Sequence, residues 1–190
     1  MMRYNLDVLN DKEFEDLCKD LFDVHYAVDF QVYKAGKDGG IDLMFAGEVE
    51  NEIVVQCKHY INSTYSDLLN TFKKIELANI RAMAPNPGRY VIATTLALSA
   101  GNTSELKSVM APYVRTTNDI FGHKRIENLI TKNPNIEKKF FKLWLTSTNV
   151  MQNILHHASI YNSEFHQAKI IANASVCTNA KFQQSTKKAF

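Results

Sequence analysis

Three side chains in the stretch 37-KDGGIDLMFAGEVENEIVVQCKHY-60 stand at the spacing D-x13-Q-x-K: Asp42, Gln56 and Lys58. An acid, an amide oxygen and an ammonium suit a hard divalent cation together with an anionic substrate. Magnesium takes oxygen ligands and keeps several waters, so one or two protein oxygens with phosphate oxygens suffice. A lysine beside such a cation can orient or help deprotonate the attacking water and offset charge growing on phosphorus. The chemistry these residue types point to is metal-assisted hydrolysis of a phosphodiester. The bare pattern also fits an ordinary hairpin in which Asp42 and Lys58 form an exposed ion pair with no chemical role.

Strand alternation decides which of these groups can meet. In IVVQCKHY, Ile53, Val55 and Cys57 share one face, while Val54, Gln56 and Lys58 share the other. A hairpin turning about Val49 sets Asp42 opposite Gln56, within about 5 Å at the Cβ atoms. Cys57 then faces away as a small core residue. His59 falls on the face opposite Lys58 and reads as a core or edge histidine.

The elements that must hold these strands are legible on either side. Asn10 or Asp11 can cap a first helix, in which Phe14, Leu17, Cys18, Leu21 and Phe22 recur at helical spacing and Glu13, Glu15 and Asp16 read as solvated. The runs VDFQVYK, GIDLMFAG and IVVQCKHY, joined by AGKDGG and EVENE, form an antiparallel meander. A second helix runs to about Met83, with Leu68, Leu69, Phe72, Ile75, Leu77 and Ile80 on its apolar face and Lys73 and Lys74 outside. After the PNPG turn, RYVIATTLAL is a continuous apolar run of the kind buried on both sides of a sheet. TSELKSVMAPY gives another helix and YVRTT another strand, so strand, helix and strand follow as a crossover unit.

Composition narrows the function. The 190 residues carry 22 Lys and Arg against 20 Asp and Glu, a formal charge of +2. That balance excludes nucleic-acid binding by bulk charge, so any DNA contact must be local and oriented. Lys34, Lys37, Lys73, Lys74 and Arg81 are candidates for holding phosphates, with a solvated helix face as the alternative for Lys73 and Lys74. Cys18, Cys57 and Cys177 show neither a zinc pair nor a disulfide framework, which favours a reducing cytoplasm. Neither an export signal nor a membrane-spanning run is expected. AGKDGG lacks the terminal Lys-Ser/Thr of a phosphate loop, and no GxxxxGK[ST] occurs.

FEDL at 14–17, KDGGIDL at 37–43 and VVQCKHY at 54–60 together resemble the Mrr-like branch of the PD-(D/E)XK restriction-endonuclease superfamily over about residues 10–100. The resemblance implies an α/β domain, a restriction-endonuclease-like mixed sheet of about five strands flanked by helices. It implies that Asp42 binds metal, that Gln56 takes the place of the usual Glu, that Lys58 is catalytic, and that Glu15 approaches the metal from the first helix. The backbone carbonyl of Cys57 is a further ligand by the same likeness. Gln56 departs from the parent motif, since an amide holds metal more weakly than a carboxylate.

The implied cofactor is Mg²⁺, with Mn²⁺ able to substitute, and the implied substrate is double-stranded DNA. RNA or single strands, or a non-catalytic adaptor role, are the alternatives. TTNDIFGHKRIENLITKNPNIEKKFFKLWLTST resembles the segment joining such nucleases to a STAND-type NTPase in bacterial antiviral sensors. From this follow a nuclease domain at 1–118, a helical connector at 119–158 and a polar linker or partner-dependent helix at 159–190. A homo-oligomer and a C-terminal NTPase or sensor region outside this chain are the implied partners. In the connector, Ile136, Phe140, Leu143, Trp144 and Ile154 read as buried, Thr146 to Thr148 as a break, and Lys138, Lys139 and Lys142 as solvent-facing or docked on a partner. His156 and His157 read as surface residues.

Overall fold

The computed structural model describes residues 4–33, 41–47, 52–145 and 160. The Gly-rich turn with Lys34 and Lys37, the side chain of Trp144, and Thr146 to Thr148, Ile154, His156 and His157 lie outside the described residues. So does the proposed linker 159–190 apart from Ile160. Two compact units divide the chain, Met1–Ser147 and Thr148–Phe190.

Helix α1 (Asp11–Tyr26) starts at a full capping box. The Asn10 side chain accepts from the Glu13 N–H, and Glu13 accepts in return from the Asn10 N–H. Five strands follow the order of the chain across one sheet: β1 (Gln31–Val32), β2 (Leu43–Phe45), β3 (Ile53–Lys58), β4 (Arg89–Thr94) and β5 (Ile120–Phe121). The first three pair antiparallel, as the meander requires, and β3–β4 and β4–β5 pair parallel. This mixed sheet with helices on its faces is the five-stranded α/β architecture that the resemblance implies.

Two cores lie on the two faces, and alternation sorts the strand residues between them. Phe14, Leu17, Cys18, Leu21 and Phe22 of α1 cover Leu43, Val55, Cys57, Val91 and Ala93. On the other face Met44, Val54, Tyr90 and Ile92 meet Leu68, Phe72 and Ile80. Those three come from a continuous helical stretch made of α2 (Tyr65–Thr71), a π-turn (Phe72–Glu76) and α3 (Leu77–Ala82). Strand β4 is covered on both faces, which is why its sequence carries no polar alternation.

Beyond β4 the structure departs from the sequence reading in two places. Helix α4 spans Ala100–Val109, and the YVRTT run forms no strand. Asp119 accepts from the Thr116 N–H and from Arg89, which closes the 3-10 turn Thr117–Asp119 and delays pairing to β5 at Ile120–Phe121. The helix expected from Asp119 accordingly begins later, as α5 (His123–Lys132). Gly122 sits at its start because a Cβ there would come within 2.9 Å of Leu98 Cγ and 3.0 Å of the Leu96 carbonyl oxygen.

The described residues beyond 118 pack onto α1. Phe121, Ile126, Ile130 and Leu143 join the first core, with Ile136 and Phe140 half-buried against it. Lys139 of α6 (Pro134–Lys139) pairs with Asp20 at 2.6 Å, and Lys142, which opens α7 (Lys142–Leu145), pairs with Glu13 at 2.5 Å. Glu13 and Lys142 are thus half-buried and tied together, and Lys139 and Lys142 dock on α1 of their own chain. Lys139 ends one helix and Lys142 begins the next, and nothing local in sequence showed that α1 offers the matching acids.

Candidate active site

Asp42 precedes β2, and the β2–β3 register, in which Leu43 faces Val55, continues to place it across from Gln56. The Gln56 amide donates from Nε2 to Asp42 Oδ2 at 2.5 Å, and the Cys57 N–H donates to the same oxygen at 2.7 Å. Among the described residues no hydrogen bond falls on Asp42 Oδ1. Burial pushes the Asp42 carboxyl up to about 7; the Cys57 N–H opposes this, Glu15 adds to it, Lys58 opposes it and Glu76 adds again. A half-buried acid whose proton affinity is raised by burial and by neighbouring acids marks a candidate functional position.

A cavity of about 270 Å³ opens at this end of the sheet and is lined by Asp11, Phe14, Glu15, Asp42, Gln56, Cys57, Lys58, His59 and Tyr60. All four expected catalytic residues, Asp42, Gln56, Lys58 and Glu15, therefore border one space. Glu15 is a half-buried side chain on the cavity side of α1, where Lys12 holds it at 3.1 Å, so it is not solvated as the helix pattern implied. Asp16, by contrast, keeps a side chain that is 49% exposed, as the helix pattern implied, and pairs with Lys12 at 3.4 Å.

The ion pair between Asp42 and Lys58 that an ordinary hairpin would make is not the one that forms. Lys58 Nζ instead lies 2.7 Å from Oε1 of Glu76, whose side chain is 5% exposed. The sequence reading placed Ile75 on the buried face of this helix, yet Ile75 is 54% exposed and Glu76 is buried. The π-turn is the reason. At 100° per residue, with Leu68 facing the sheet, Ile75 would lie about 20° from that direction and Glu76 about 80° away. The wider π-turn rotates the register, so Leu68, Phe72, Glu76 and Ile80 all face inward at a spacing of four. That F-x3-E-x3-I spacing was the available signal. With Ile75 54% exposed, turning it outward gives up about half of the roughly 1.5–3 kcal/mol that full burial would contribute, which the Lys58 contact must help offset.

Two further side chains complete the surroundings. Tyr90, fully buried on β4, donates from its hydroxyl to Gln56 Oε1 at 3.4 Å. His59 packs tilted against Phe14 with ring centroids 5.6 Å apart, while its ring nitrogens contact Asp11 Oδ1 at 3.0 Å and the Leu6 carbonyl at 3.2 Å. It is tied to the first helix as a structural histidine would be, although it also lines the cavity. Cys57 lies in the core beside the Cys18 thiol, and burial followed by that hydrogen bond pushes its own thiol well above the usual range. Lys73 and Lys74 are exposed on the π-turn, Lys73 lying 3.7 Å from Glu105, and Arg81 is exposed on α3.

The donor set fits a magnesium-like ion. Among the described residues no three His, Cys, Asp or Glu side chains converge as a ready cage. The candidates are one carboxylate, one amide oxygen and one backbone carbonyl, which suits an ion that retains waters and recruits phosphate oxygens. For Gln56 to ligate through Oε1 its amide must turn over, and the Tyr90 hydroxyl can accept where it now donates.

Residues 6–84 match the Mrr_cat family model, described as restriction endonuclease. The span contains Glu15, Asp42, Gln56, Lys58 and Glu76, and it is an Mrr-like PD-(D/E)XK nuclease domain. A protein of Sinorhizobium fredii (strain NBRC 101917 / NGR234), y4cD, named as uncharacterized, is 31% identical over 157 residues, or 83% of this chain and 24% of that protein. The chain thus spans about a quarter of the length of that relative. No helix among the described residues is long and apolar enough to cross a membrane.

Proposed function

We propose that this nuclease domain is a Mg²⁺-dependent endonuclease that hydrolyses phosphodiester bonds of double-stranded DNA. The observation that carries the reading is the convergence of Asp42, Gln56, Lys58 and Glu15 on one cavity. A divalent ion held there would supply polarisation of the phosphate and a lowered pKa for a bound water. Asp42, the Gln56 amide oxygen and the Cys57 carbonyl are the groups that would hold it. Lys58 supplies a fixed positive charge for the phosphate and can orient the attacking water. Glu15, which lines the same cavity, assists directly or through water.

Lys73, Lys74 and Arg81 are candidates for the DNA backbone, together with Lys34 and Lys37. Two strands need two such sites, so the working form is a homo-oligomer. The likeness of 116–148 to the connectors of STAND-type sensors supports a place as the cytoplasmic effector of an anti-phage protein with a C-terminal NTPase or sensor region. On that reading 1–118 is the nuclease, 119–158 the connector and 159–190 the linker, although the packing of 119–145 onto α1 makes that stretch a structural part of the nuclease unit.

Digestion of duplex plasmid, single-stranded circular DNA and a structured RNA side by side, with Mg²⁺, Mn²⁺ or EDTA, tests the substrate. Metal-dependent cutting of the duplex is expected. Cutting of RNA or single strands alone would overturn the DNA reading, and absence of divalent-ion binding by calorimetry would favour a non-catalytic adaptor.

A further inference from the structure

The geometry points to Glu76 as a positioning residue that holds the Lys58 ammonium at the wall of the site and keeps it off Asp42. This rests on the nuclease reading above. Lys58 stands two residues beyond Gln56 on the same strand face, and Asp42 lies across from Gln56. A lysine side chain in that position can reach the Asp42 carboxylate. If it did, the ammonium would occupy the place a cation needs and consume the open oxygen. In the structure the Lys58 ammonium is instead paired with Glu76 Oε1 at 2.7 Å.

Two observations single out Glu76. The first is its burial: 4% exposed, its second oxygen meets only Asn79 Nδ2 at 3.4 Å, and Lys58 is its sole ion-pair partner among the described residues. A carboxylate taken out of water is costly unless it is paired, so the contact with Lys58 is what makes this position tolerable. The second is the π-turn, which turns Glu76 inward and leaves Ile75 outside. Core packing alone would favour the opposite arrangement. The local backbone irregularity is therefore explained by what it delivers, a carboxylate under the catalytic lysine.

The arrangement separates two jobs on one strand. Asp42 and Gln56 are left to the cation, and Lys58 is left as an oriented donor for phosphate or water. A lysine already held in place loses no rotamer freedom on reaching the transition state.

The test compares the full chain with Glu76→Gln and Glu76→Asp, each matched for folding by circular dichroism. Acetylation of Lys58 by a limiting amount of acetic anhydride is followed by mass spectrometry, with exposed Lys107 as internal reference. Release from the buried carboxylate is expected to raise the Lys58 labelling rate in Glu76→Gln by about fivefold or more over that reference. Glu76→Asp, which keeps the charge one methylene shorter, should restore most of the protection. In plasmid cleavage Glu76→Gln should lower kcat by about tenfold or more while KM for DNA stays within about threefold. Unchanged Lys58 labelling, or cleavage by Glu76→Gln at the wild-type rate, would overturn the proposal. A wild type that cleaves nothing would count against the nuclease reading, and the labelling ratio would still decide whether Glu76 holds Lys58. Should Glu76→Gln fail to fold, Glu76→Asp decides alone: Lys58 labelling raised toward that of Lys107 refutes rescue by charge.

Discussion

Asp42→Asn should make the metal-free protein more stable at alkaline pH, although it removes the central acid of the site. The folded carboxyl is pushed up to about 7 from an ordinary 3.8, chiefly by burial. The native state therefore binds this proton more tightly than the unfolded chain. Stability linked to Asp42 is fully present below pH 3.8 and is lost as pH rises through 7. The slope in that window is about 1.4 kcal/mol per pH unit, which gives a loss of about 2.5 kcal/mol between pH 5 and pH 8. Because the carboxyl borders a cavity open to water, the measured difference should fall nearer about 2 kcal/mol.

Asparagine keeps an oxygen for the Cys57 N–H and the Gln56 amide without the charge. Urea denaturation in EDTA, followed by circular dichroism at several pH values, compares the two proteins. The lead of the variant over the wild type should be about 2 kcal/mol larger at pH 8 than at pH 5, and the two curves should converge near pH 4. Added Mg²⁺ at pH 8 should then stabilise the wild type and leave the variant unmoved. Parallel pH profiles for the two proteins would refute the electrostatic account of Asp42.

Further expectations concern the neighbours of the site and the frame that holds it. Gln56→Glu sets a second carboxylate against Asp42, so the metal-free protein should lose about 1–3 kcal/mol at pH 8 while Ca²⁺ affinity by calorimetry rises about tenfold or more. Phe72→Ala, which empties a fully buried position next to Glu76, should cost about 3–5 kcal/mol in urea denaturation. Arg89→Met leaves the carboxylate of Asp119, which is fully buried, without its ion-pair partner and should cost about 3 kcal/mol by the same measurement. Asn10→Ala removes the capping box of α1 and should cost about 1 kcal/mol.

The sequence showed the strand pair of the candidate site well because its signal is local. Alternation in IVVQCK fixes which side chains share a face, and the register joining Asp42 with Gln56 follows from taking the hairpin to turn about Val49, a choice the Leu43–Val55 pairing agrees with. Burial of β4 on both faces was equally legible in RYVIATT. Glu76 was missed because a strict 3.6-residue period favours Ile75, and a π-turn breaks that period without a Gly or Pro to mark it. The strand misplaced at YVRTT has a similar cause: Asp119 competes for the Thr116 N–H and Arg89 through contacts invisible to propensity. The docking of Lys139 and Lys142 on Asp20 and Glu13 joins residues about 120 positions apart, a distance over which no pattern in one sequence speaks. Tyr90 read only as part of an apolar run, because its hydroxyl finds Gln56 across a strand boundary.

Plasmid cleavage with Mg²⁺ by the wild type, Asp42→Ala and Lys58→Ala, matched for folding, tests the account most directly. The wild type should convert supercoiled plasmid to nicked and linear forms, and both variants should lose that activity. Cutting that survives both substitutions, or a wild type inert at every concentration with Mg²⁺ or Mn²⁺, would contradict it.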